Sequence, residues 1–248
     1  NYGPLGSMWF DGEWESPWTH EMGLDLYRYV RSLQPGILVN NRVDKGRRGM
    51  HGGTMGHEYA GDYDTPEQRV GTFQTDRPWE SCITICQQWA WKPDDRLKSL
   101  KECIQTLVNT AGGDGNLLLN VGPMPDGRIE PRQVERLKEI GEWLERYGES
   151  VYETRGGPFK PGAYGASTSK AYRVYLHVFN WQGETLRFPA INAKIVKAAL
   201  LGGDGQAVVE QTDNLVKVAG PDRKEPDTVV VFTLDRPANA VAPVAVAP

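Results

Sequence analysis

Two acidic residues in the first third of the chain have positions at which carboxylates often do chemistry. Asp11 follows the apolar run Ser7–Phe10 and precedes Gly12, and Glu67 follows a Gly-rich stretch in the segment Asp62–Gln68. Working residues of parallel α/β barrels lie at the carboxyl ends of strands, so loops from neighbouring strands can bring two such groups together. Two carboxylates can cleave a glycosidic bond when one attacks or shields the sugar carbon and the other protonates the departing oxygen.

The same residues have ordinary structural explanations. An Asp before a Gly is common in turns, so Asp11 could simply end a strand. Acidic residues favour the first turn of a helix, and Glu67 directly follows Pro66. Arg42 could form a surface ion pair, and Trp89 could pack in a core. Spacing alone leaves a catalytic pair and a set of structural residues as open alternatives.

Several other classes of function are disfavoured by the composition. The 248 residues carry 28 Lys+Arg against 32 Asp+Glu, a net charge of −4, with no basic cluster beyond Arg47-Arg48. This mild acidity argues against a nucleic-acid partner or an anionic membrane surface. No apolar run reaches the roughly 18 residues that a membrane span needs. The 3 cysteines cannot form a disulfide framework, because an odd count leaves one unpaired.

We expect neither a cofactor nor a metal ion. The sequence contains no Gly-x-Ser-x-Gly elbow, no phosphate-binding Walker loop and no dinucleotide fingerprint. His51, His57 and Glu58 lie in the Gly-rich stretch, but their spacing is not specific for a metal.

The first 155 residues alternate between strand and helix patterns. Four apolar runs predict strands, at residues 7–10, 37–39, 82–86 and 116–121. Helices are predicted over three segments: His20–Gln34, a segment capped by Asp94 or Asp95, and a segment from Pro131 to near Gly148. Gly46–Asp64 has no periodicity and is predicted to be a long loop. This alternation predicts an α/β fold with a parallel sheet and helical crossovers.

After residue 155 the pattern changes to short strands with few helical stretches between them. Strands are predicted at Tyr172–Phe179, Ala207–Glu210, Leu215–Val218 and Thr228–Leu234. Such a series predicts a small antiparallel β-sandwich over residues 156–236. Residues 237–248 consist of Ala, Val and Pro with one Asn, which predicts a linker or a frayed tail.

Several short motifs, in this order along the chain, resemble a single enzyme family. They are Met8-Trp9-Phe10-Asp11-Gly12, Asn40-Asn41-Arg42, Trp79-Glu80-Ser81-Cys82 with Thr84-Ile85, Asn116-Leu117-Leu118-Leu119-Asn120-Val121-Gly122-Pro123 with Asp126-Gly127, Ile140-Gly141-Glu142-Trp143-Leu144, and Val151-Tyr152-Glu153-Thr154. Over roughly residues 1–236 the chain resembles the α-L-fucosidases of glycoside hydrolase family 29. The resemblance implies part of a (β/α)8-type barrel over residues 1–155, followed by the β-sandwich. It also implies hydrolysis of α-L-fucosidic bonds in fucosylated glycans through a covalent glycosyl-enzyme intermediate.

The resemblance carries roles to particular residues. Asp11 matches the catalytic nucleophile, and Glu67 is assigned as the general acid/base, with Glu58 as second choice. The residues expected to bind substrate are Trp9, Arg42, Trp79 and Trp89. Asn41 stands where some members carry Asp, so no acid role follows for it.

The resemblance also implies that something is missing. Four strand patterns precede Gly156, whereas a closed barrel of this type has eight strands. We therefore expect activity to require a missing N-terminal half-barrel or a second chain. Two alternatives stay open: a non-catalytic glycan-binding or inactive fragment, and a related exo-glycosidase with another sugar specificity. An exported or lysosome-like compartment fits the family, but the sequence leaves the localisation unknown.

Overall fold

The chain forms two compact units in a computed structural model that describes residues 3–203, 207–219 and 223–246. The first unit comprises Asn1–Ile83 and Asn116–Leu118, and the second comprises Thr84–Gly115 and Leu119–Pro248. The expected domain boundary between residues 155 and 156 does not coincide with this division.

The first unit contains one helix and the strands nearest the N-terminus. Its elements are β1 (Ser7–Met8), α1 (His20–Leu33), β2 (Leu38–Val39), β3 (Glu80–Thr84) and β4 (Asn116–Asn120), the last two continuing into the second unit. Two short 3-10 helices occupy Asn41–Val43 and Gly49–His51. The predicted first helix is confirmed: α1 begins after Thr19, whose Oγ1 accepts a hydrogen bond from the backbone N–H of Met22 at 3.2 Å.

Successive strands of this unit pair in parallel. β1 pairs with β2, and β3 pairs with β4. Between them, parallel bridges join Asn40 to Tyr63, Asp64 to Trp79 and Glu67 to Cys82. The predicted long loop thus leads into an extended segment, residues 63–67, that lies between β2 and β3. No pattern indicated this segment, because Asp64 and Pro66 are residue types typical of turns. The described residues contain no closed barrel, so the established architecture is α/β with parallel pairing.

Two helices in the second unit are α2 (Leu100–Gly112) and α3 (Pro131–Tyr147). α3 has the predicted start at Pro131 and ends at the predicted place. The predicted cap of α2 at Asp94 or Asp95 is wrong, because Ser99 and Glu102 form a reciprocal capping box instead. The Asp95 carboxylate is occupied elsewhere: it accepts backbone hydrogen bonds of 2.9–3.0 Å from Gln87, Gln88 and Arg96. Among the described residues, no helix combines the length and apolar character needed to cross a membrane.

The remaining strands form two antiparallel sheets, as the sandwich prediction requires. Their bounds are β5 (Arg155–Gly156), β6 (Gly165–Lys170), β7 (Arg173–Val178), β8 (Thr185–Pro189), β9 (Ile195–Leu200), β10 (Val208–Gln211), β11 (Leu215–Ala219) and β12 (Thr228–Leu234). One sheet has the order β5-β6-β7-β12-β9 and the other β10-β11-β8. Inward residues of both sheets, including Leu176, Phe188, Val216 and Phe232, share one buried core.

The helices and the larger sheet of the second unit share a second core. Ile104, Val108 and Trp143 from the helices cluster with Ala166 and Tyr175 from the outer face of the sheet. This packing explains why α2 and α3 belong to the same unit as the sandwich.

Within residues 237–246, the described part of the final Ala/Val/Pro segment, side chains pack against the sandwich, whereas the composition predicts a linker or a frayed tail. Ala238 and Val241 are 4% and 5% exposed and belong to the sandwich core. The backbone of Val244 bridges to Phe159 in parallel. Small apolar side chains suit a groove along the sheet as well as they suit a linker, so composition alone did not distinguish the two.

Candidate active site

Arg42 joins the two carboxylates that the sequence singled out. It lies in the 3-10 helix Asn41–Val43 directly after β2, and only 2% of its side chain is exposed. Its Nη1 donates to Asp11 Oδ1 at 2.7 Å, and its Nη2 donates to Glu67 Oε2 at 2.9 Å. Its Nε donates to Thr65 Oγ1 at 3.0 Å, which fixes the plane of the guanidinium group. The structure therefore brings Asp11, Arg42 and Glu67 together.

The surroundings of Arg42 keep it charged. Burial opposes the charged form, but the hydrogen bond to Asp11 and the negative charges nearby outweigh it, so the pKa of Arg42 is raised. The Trp9 ring lies over the guanidinium group, with 4.5 Å between Cζ of Arg42 and the ring centroid. Such a cation–π contact stabilises the charge and orients the ring.

Trp9 is also held by a hydrogen bond. Its Nε1 donates to Glu80 Oε1 at 3.2 Å, and the residue is 36% exposed. Burial raises the pKa of Glu80, and the hydrogen bond from Trp9 opposes this only in part. Trp9 therefore lies with one face on the guanidinium group of Arg42, and the rest of its ring is partly exposed.

Sequence reasoning missed two residues of the site, Arg47 and Glu13. Arg47 has 4% of its side chain exposed; its Nη1 donates to Glu13 Oε1 at 3.0 Å and its Nη2 donates to Glu67 Oε2 at 3.2 Å. It also donates to the carbonyl oxygen of Thr65. The sequence offers only weak indications of their roles. Glu13 stands two residues after Asp11, and Arg47 belongs to the Arg47-Arg48 basic pair, which is typical of a surface. We call Asp11, Glu13, Arg42, Arg47 and Glu67 the Arg42 cluster.

The two arginines use only one oxygen of each catalytic candidate. Both guanidinium groups reach Oε2 of Glu67, and Arg42 reaches Oδ1 of Asp11. Glu67 Oε1 and Asp11 Oδ2 are engaged by neither arginine. About half of the Asp11 side chain is exposed, at 51%, against 17% for Glu67. The Asp11 carboxylate is therefore accessible to solvent, whereas Glu67 is mostly buried and both arginines bind it through Oε2.

Two other predicted residues of the first unit, Trp79 and Glu58, form no described contact with this cluster. Trp79 is 2% exposed and its ring lies against Gly71, so it packs in the first unit and presents little surface. Trp89 belongs to the second unit, where it is 40% exposed and its carbonyl oxygen accepts a hydrogen bond from Asn120 Nδ2 at 2.9 Å. Glu58 is exposed in the turn 56–59. Asn41 is fully buried and bonds Gly52 and Thr65, which is a structural role.

Comparison with known proteins gives a consistent family. A family model described as Alpha-L-fucosidase matches residues 1–149. Tissue alpha-L-fucosidase of Homo sapiens is 31% identical over 211 residues, which cover 80% of this chain and 43% of that protein. Tissue alpha-L-fucosidase of Bos taurus is 32% identical over 184 residues, covering 70% of this chain and 37% of that protein. The chain thus spans about two fifths of the length of these curated relatives.

Solved structures agree with this assignment. One is an alpha-L-fucosidase of family GH29 from Bacteroides thetaiotaomicron, solved as a covalent intermediate that was trapped with 2-fluoro-fucosyl fluoride in a Glu-to-Gln mutant. It superposes with a TM-score of 0.81 at 28% identity, covering 93% of this chain and 56% of that chain. Alpha-L-fucosidase isoenzyme 1 from Paenibacillus thiaminolyticus gives a TM-score of 0.79 at 28% identity, covering 94% of this chain and 59% of that chain. From the family model and these relatives together, the chain belongs to the α-L-fucosidases of glycoside hydrolase family 29, of which it represents a part.

Proposed function

We propose that this chain is the C-terminal portion of a retaining α-L-fucosidase and carries its catalytic carboxylates. The observation that carries the proposal is the sharing of one buried guanidinium group by Asp11 and Glu67. Carboxylates that share a guanidinium are held close together, and a retaining mechanism needs a separation of about 5–5.5 Å.

In the proposed mechanism Asp11 is the nucleophile. Its Oδ2, which neither arginine engages, attacks the anomeric carbon of an α-L-fucoside, while the bond from that carbon to the leaving oxygen breaks. Arg42 holds Oδ1 and orients the attacking oxygen. Water then displaces the carboxylate from the sugar, which restores the α configuration at the anomeric carbon.

Glu67 supplies the proton in this mechanism. Both arginines donate to Oε2 of Glu67, so Oε1 is the oxygen of this carboxylate that neither guanidinium group engages. Glu67 Oε1 donates to the departing oxygen in the first step and removes a proton from water in the second. Support comes from the Bacteroides relative, whose covalent intermediate was trapped in a Glu-to-Gln mutant.

The proposed substrate is a fucosylated glycan. Fucose has a methyl group where most hexoses have a hydroxymethyl group, so its pocket needs an apolar wall beside groups that bind hydroxyls. Trp9, 36% exposed, offers the apolar surface, and the exposed carboxylate of Asp11, which the buried Arg42 holds in place, offers the polar one.

Completion by further chain is part of the proposal. The parallel strands of the first unit would form one portion of a (β/α)8-type barrel, and an N-terminal half-barrel or a second chain would supply the rest. β1 pairs only with β2 among the described residues, which leaves an edge for such a strand.

Hydrolysis of an aryl α-L-fucoside tests the proposal. We expect little turnover by the chain alone and clear turnover by a version that includes the upstream coding sequence. Asp11→Gly in that version should abolish turnover, and azide should restore it by forming the β-L-fucosyl azide. An active Asp11→Gly variant without azide would refute the role of Asp11. Absence of turnover in the completed protein would refute the proposed activity and favour a glycan-binding or inactive form.

A further inference from the structure

The first unit contains a second pocket, on the other side of the extended segment 63–67. Side chains alternate along this segment: Thr65 and Glu67 reach Arg42, whereas Asp64 and Pro66 line the pocket. The pocket has a volume of about 190 Å³. Its walls include Arg48, His51, Arg69 and Trp79.

Positive charge in this pocket is not balanced by neighbouring carboxylates. Arg48 and Arg69 form no ion pair with any carboxylate of the described residues 3–203, 207–219 and 223–246. Arg69 Nη1 instead lies 2.9 Å from Nδ1 of His51. Asp64 is the acidic residue of the lining, and its Oδ1 accepts from Arg77 Nε at 2.7 Å, so its charge is already paired. Arg48 and Arg69, both exposed, therefore line one small pocket whose lining carboxylate, Asp64, is already paired with Arg77.

Backbone hydrogen bonds fix the main chain of the segment that carries Arg48 and His51. Residues 46–55 form a hairpin, in which Arg48 N–H donates to the carbonyl oxygen of Gly53 at 2.8 Å. The hairpin is fixed to the extended segment, because Thr65 N–H donates to Gly52 and Glu67 N–H donates to Met50. Gly52 has a φ of +76°, and a Cβ there would lie 2.1 Å from the backbone of Thr65 and Pro66. A side chain at position 52 would therefore clash with the segment, and only glycine lets the hairpin pack this closely against residues 63–67.

Trp79 forms part of the pocket wall. Trp79 is 2% exposed, and its Nε1 has no hydrogen-bond partner among the described residues. The Trp79 atoms that lie beside Gly71, another lining residue, are Cζ3 and Cε3 of the benzene ring, so this part of the wall is apolar.

We propose that this pocket binds an oxyanion, a carboxylate or sulfate group of the kind carried by acidic sugars. Guanidinium groups match such groups in shape and charge and bind them through paired N–H donors. Arg48 and Arg69 contribute charge and donors from the hairpin and from the end of the extended segment. The site is separate from the Arg42 cluster, and binding here requires no turnover.

NMR titration of the uniformly ¹⁵N-labelled chain tests this site. The indole N–H resonance of Trp79, assigned by its loss in Trp79→Phe, reports on the pocket wall. We expect a saturable shift with sodium sulfate and with glucose 6-sulfate or glucuronate, but none with glucose or with sodium chloride at matched ionic strength. The double variant Arg48→Gln/Arg69→Gln should weaken binding at least ten-fold. Arg128→Gln, at an exposed arginine of the second unit, is the matched control and should leave binding unchanged.

The outcomes distinguish a specific oxyanion site from two solvated arginines that bind no particular anion. A shift that is linear in salt, equal for chloride, or unchanged in the double variant would refute the site. Tighter binding of glucose 6-sulfate than of sulfate identifies a sugar substituent as the ligand, and the reverse order identifies the free ion. Neither result depends on fucosidase activity, so failure of one proposal does not decide the other.

Discussion

Single side chains determine whether the candidate site can form, and Arg42 has the most contacts to lose. Arg42→Met keeps the aliphatic stem but removes the ion pairs to Asp11 and Glu67 and the hydrogen bond to Thr65. Breaking a buried pair leaves charge uncompensated, and because Asp11 is half exposed we expect a loss of about 2–3 kcal/mol. Urea denaturation of both proteins measures the free energy of unfolding.

Arg128→Met is the control for this experiment. Arg128 is also paired, with Asp126, but 77% of its side chain is exposed. Its replacement should change the free energy of unfolding by less than about 0.5 kcal/mol. Equal losses in the two variants would mean that the Arg42 cluster contributes no more than a surface pair.

At this scale, part of the site was accessible from the sequence. Asp11, Arg42 and Trp9 lie within short motifs that the family resemblance marks, and the structure brings all three together with Glu67. Arg47 was missed because its role depends on a hairpin that returns it to Glu67, a contact between residues 20 positions apart. Nothing in a local pattern distinguishes such an arginine from a solvated one.

Among the elements, α2 offers a test of its capping box. Ser99 Oγ accepts from the backbone N–H of Glu102 at 3.1 Å, and Glu102 Oε2 accepts from the N–H of Ser99 at 2.7 Å. The hydrogen bond from the backbone N–H of Ser99, together with one from the guanidinium group of Arg96, lowers the pKa of Glu102 from 4.5 to about 2. A lowered pKa in the folded state contributes stability above pH 4.5, and that contribution is lost as the pH falls towards 2.

Two variants measure the effect. Ser99→Ala should cost about 1 kcal/mol of unfolding free energy at neutral pH. Glu102→Gln should be destabilised relative to the unsubstituted chain at pH 7, with the difference shrinking as the pH is lowered below 4.5. Unfolding measured at several pH values checks this, and a difference that stays constant with pH would contradict it.

The elements also show where sequence patterns succeed. α3 begins at its proline, and β12 has the predicted bounds, because its sequence, Thr-Val-Val-Val-Phe-Thr-Leu, is rich in β-branched residues. β6 was missed because its sequence, Gly-Ala-Ser-Thr-Ser-Lys, is small and polar, although five of its six residues are buried. Its hydroxyls are satisfied inside the fold, as with Thr168 Oγ1, which donates to the carbonyl oxygen of Ser150 at 2.5 Å. Partners so distant in sequence leave no periodic signal.

For the whole molecule, the final segment provides the clearest test of packing. Val241 is 5% exposed in the sandwich core, so Val241→Ala should lower the free energy of unfolding by about 2 kcal/mol. Val208→Ala is the matched control, because Val208 is 61% exposed on β10 and its replacement should have a small effect. Thermal or urea unfolding of the two variants gives both free energies. Equal effects would mean that Val241 does not pack in the core, as the sequence prediction of a frayed tail implies.

The division of the chain was less predictable than its elements. The change from alternating helices and strands to strands alone predicts a boundary at residue 155. The compact units are instead defined by contacts between side chains. One hydrophobic core joins α2 and α3 to the larger sheet, so both helices belong to the same unit as the sandwich. The packing of a helix on a particular sheet depends on contacts between residues that are distant in sequence. A local sequence pattern does not predict such contacts.

The close approach at Gly52 has a consequence for natural and engineered variation. Two demands coincide there, a left-handed backbone and the absence of space for a Cβ, whereas Gly127, at a φ of +83°, has nothing within 4 Å of the same position. Asn or Asp can meet the first demand but not the second. A mutant library should therefore recover only glycine at position 52 while accepting Asn or Asp at position 127, and grafting residues 46–55 onto another protein would require transferring their partner, residues 63–67, as well.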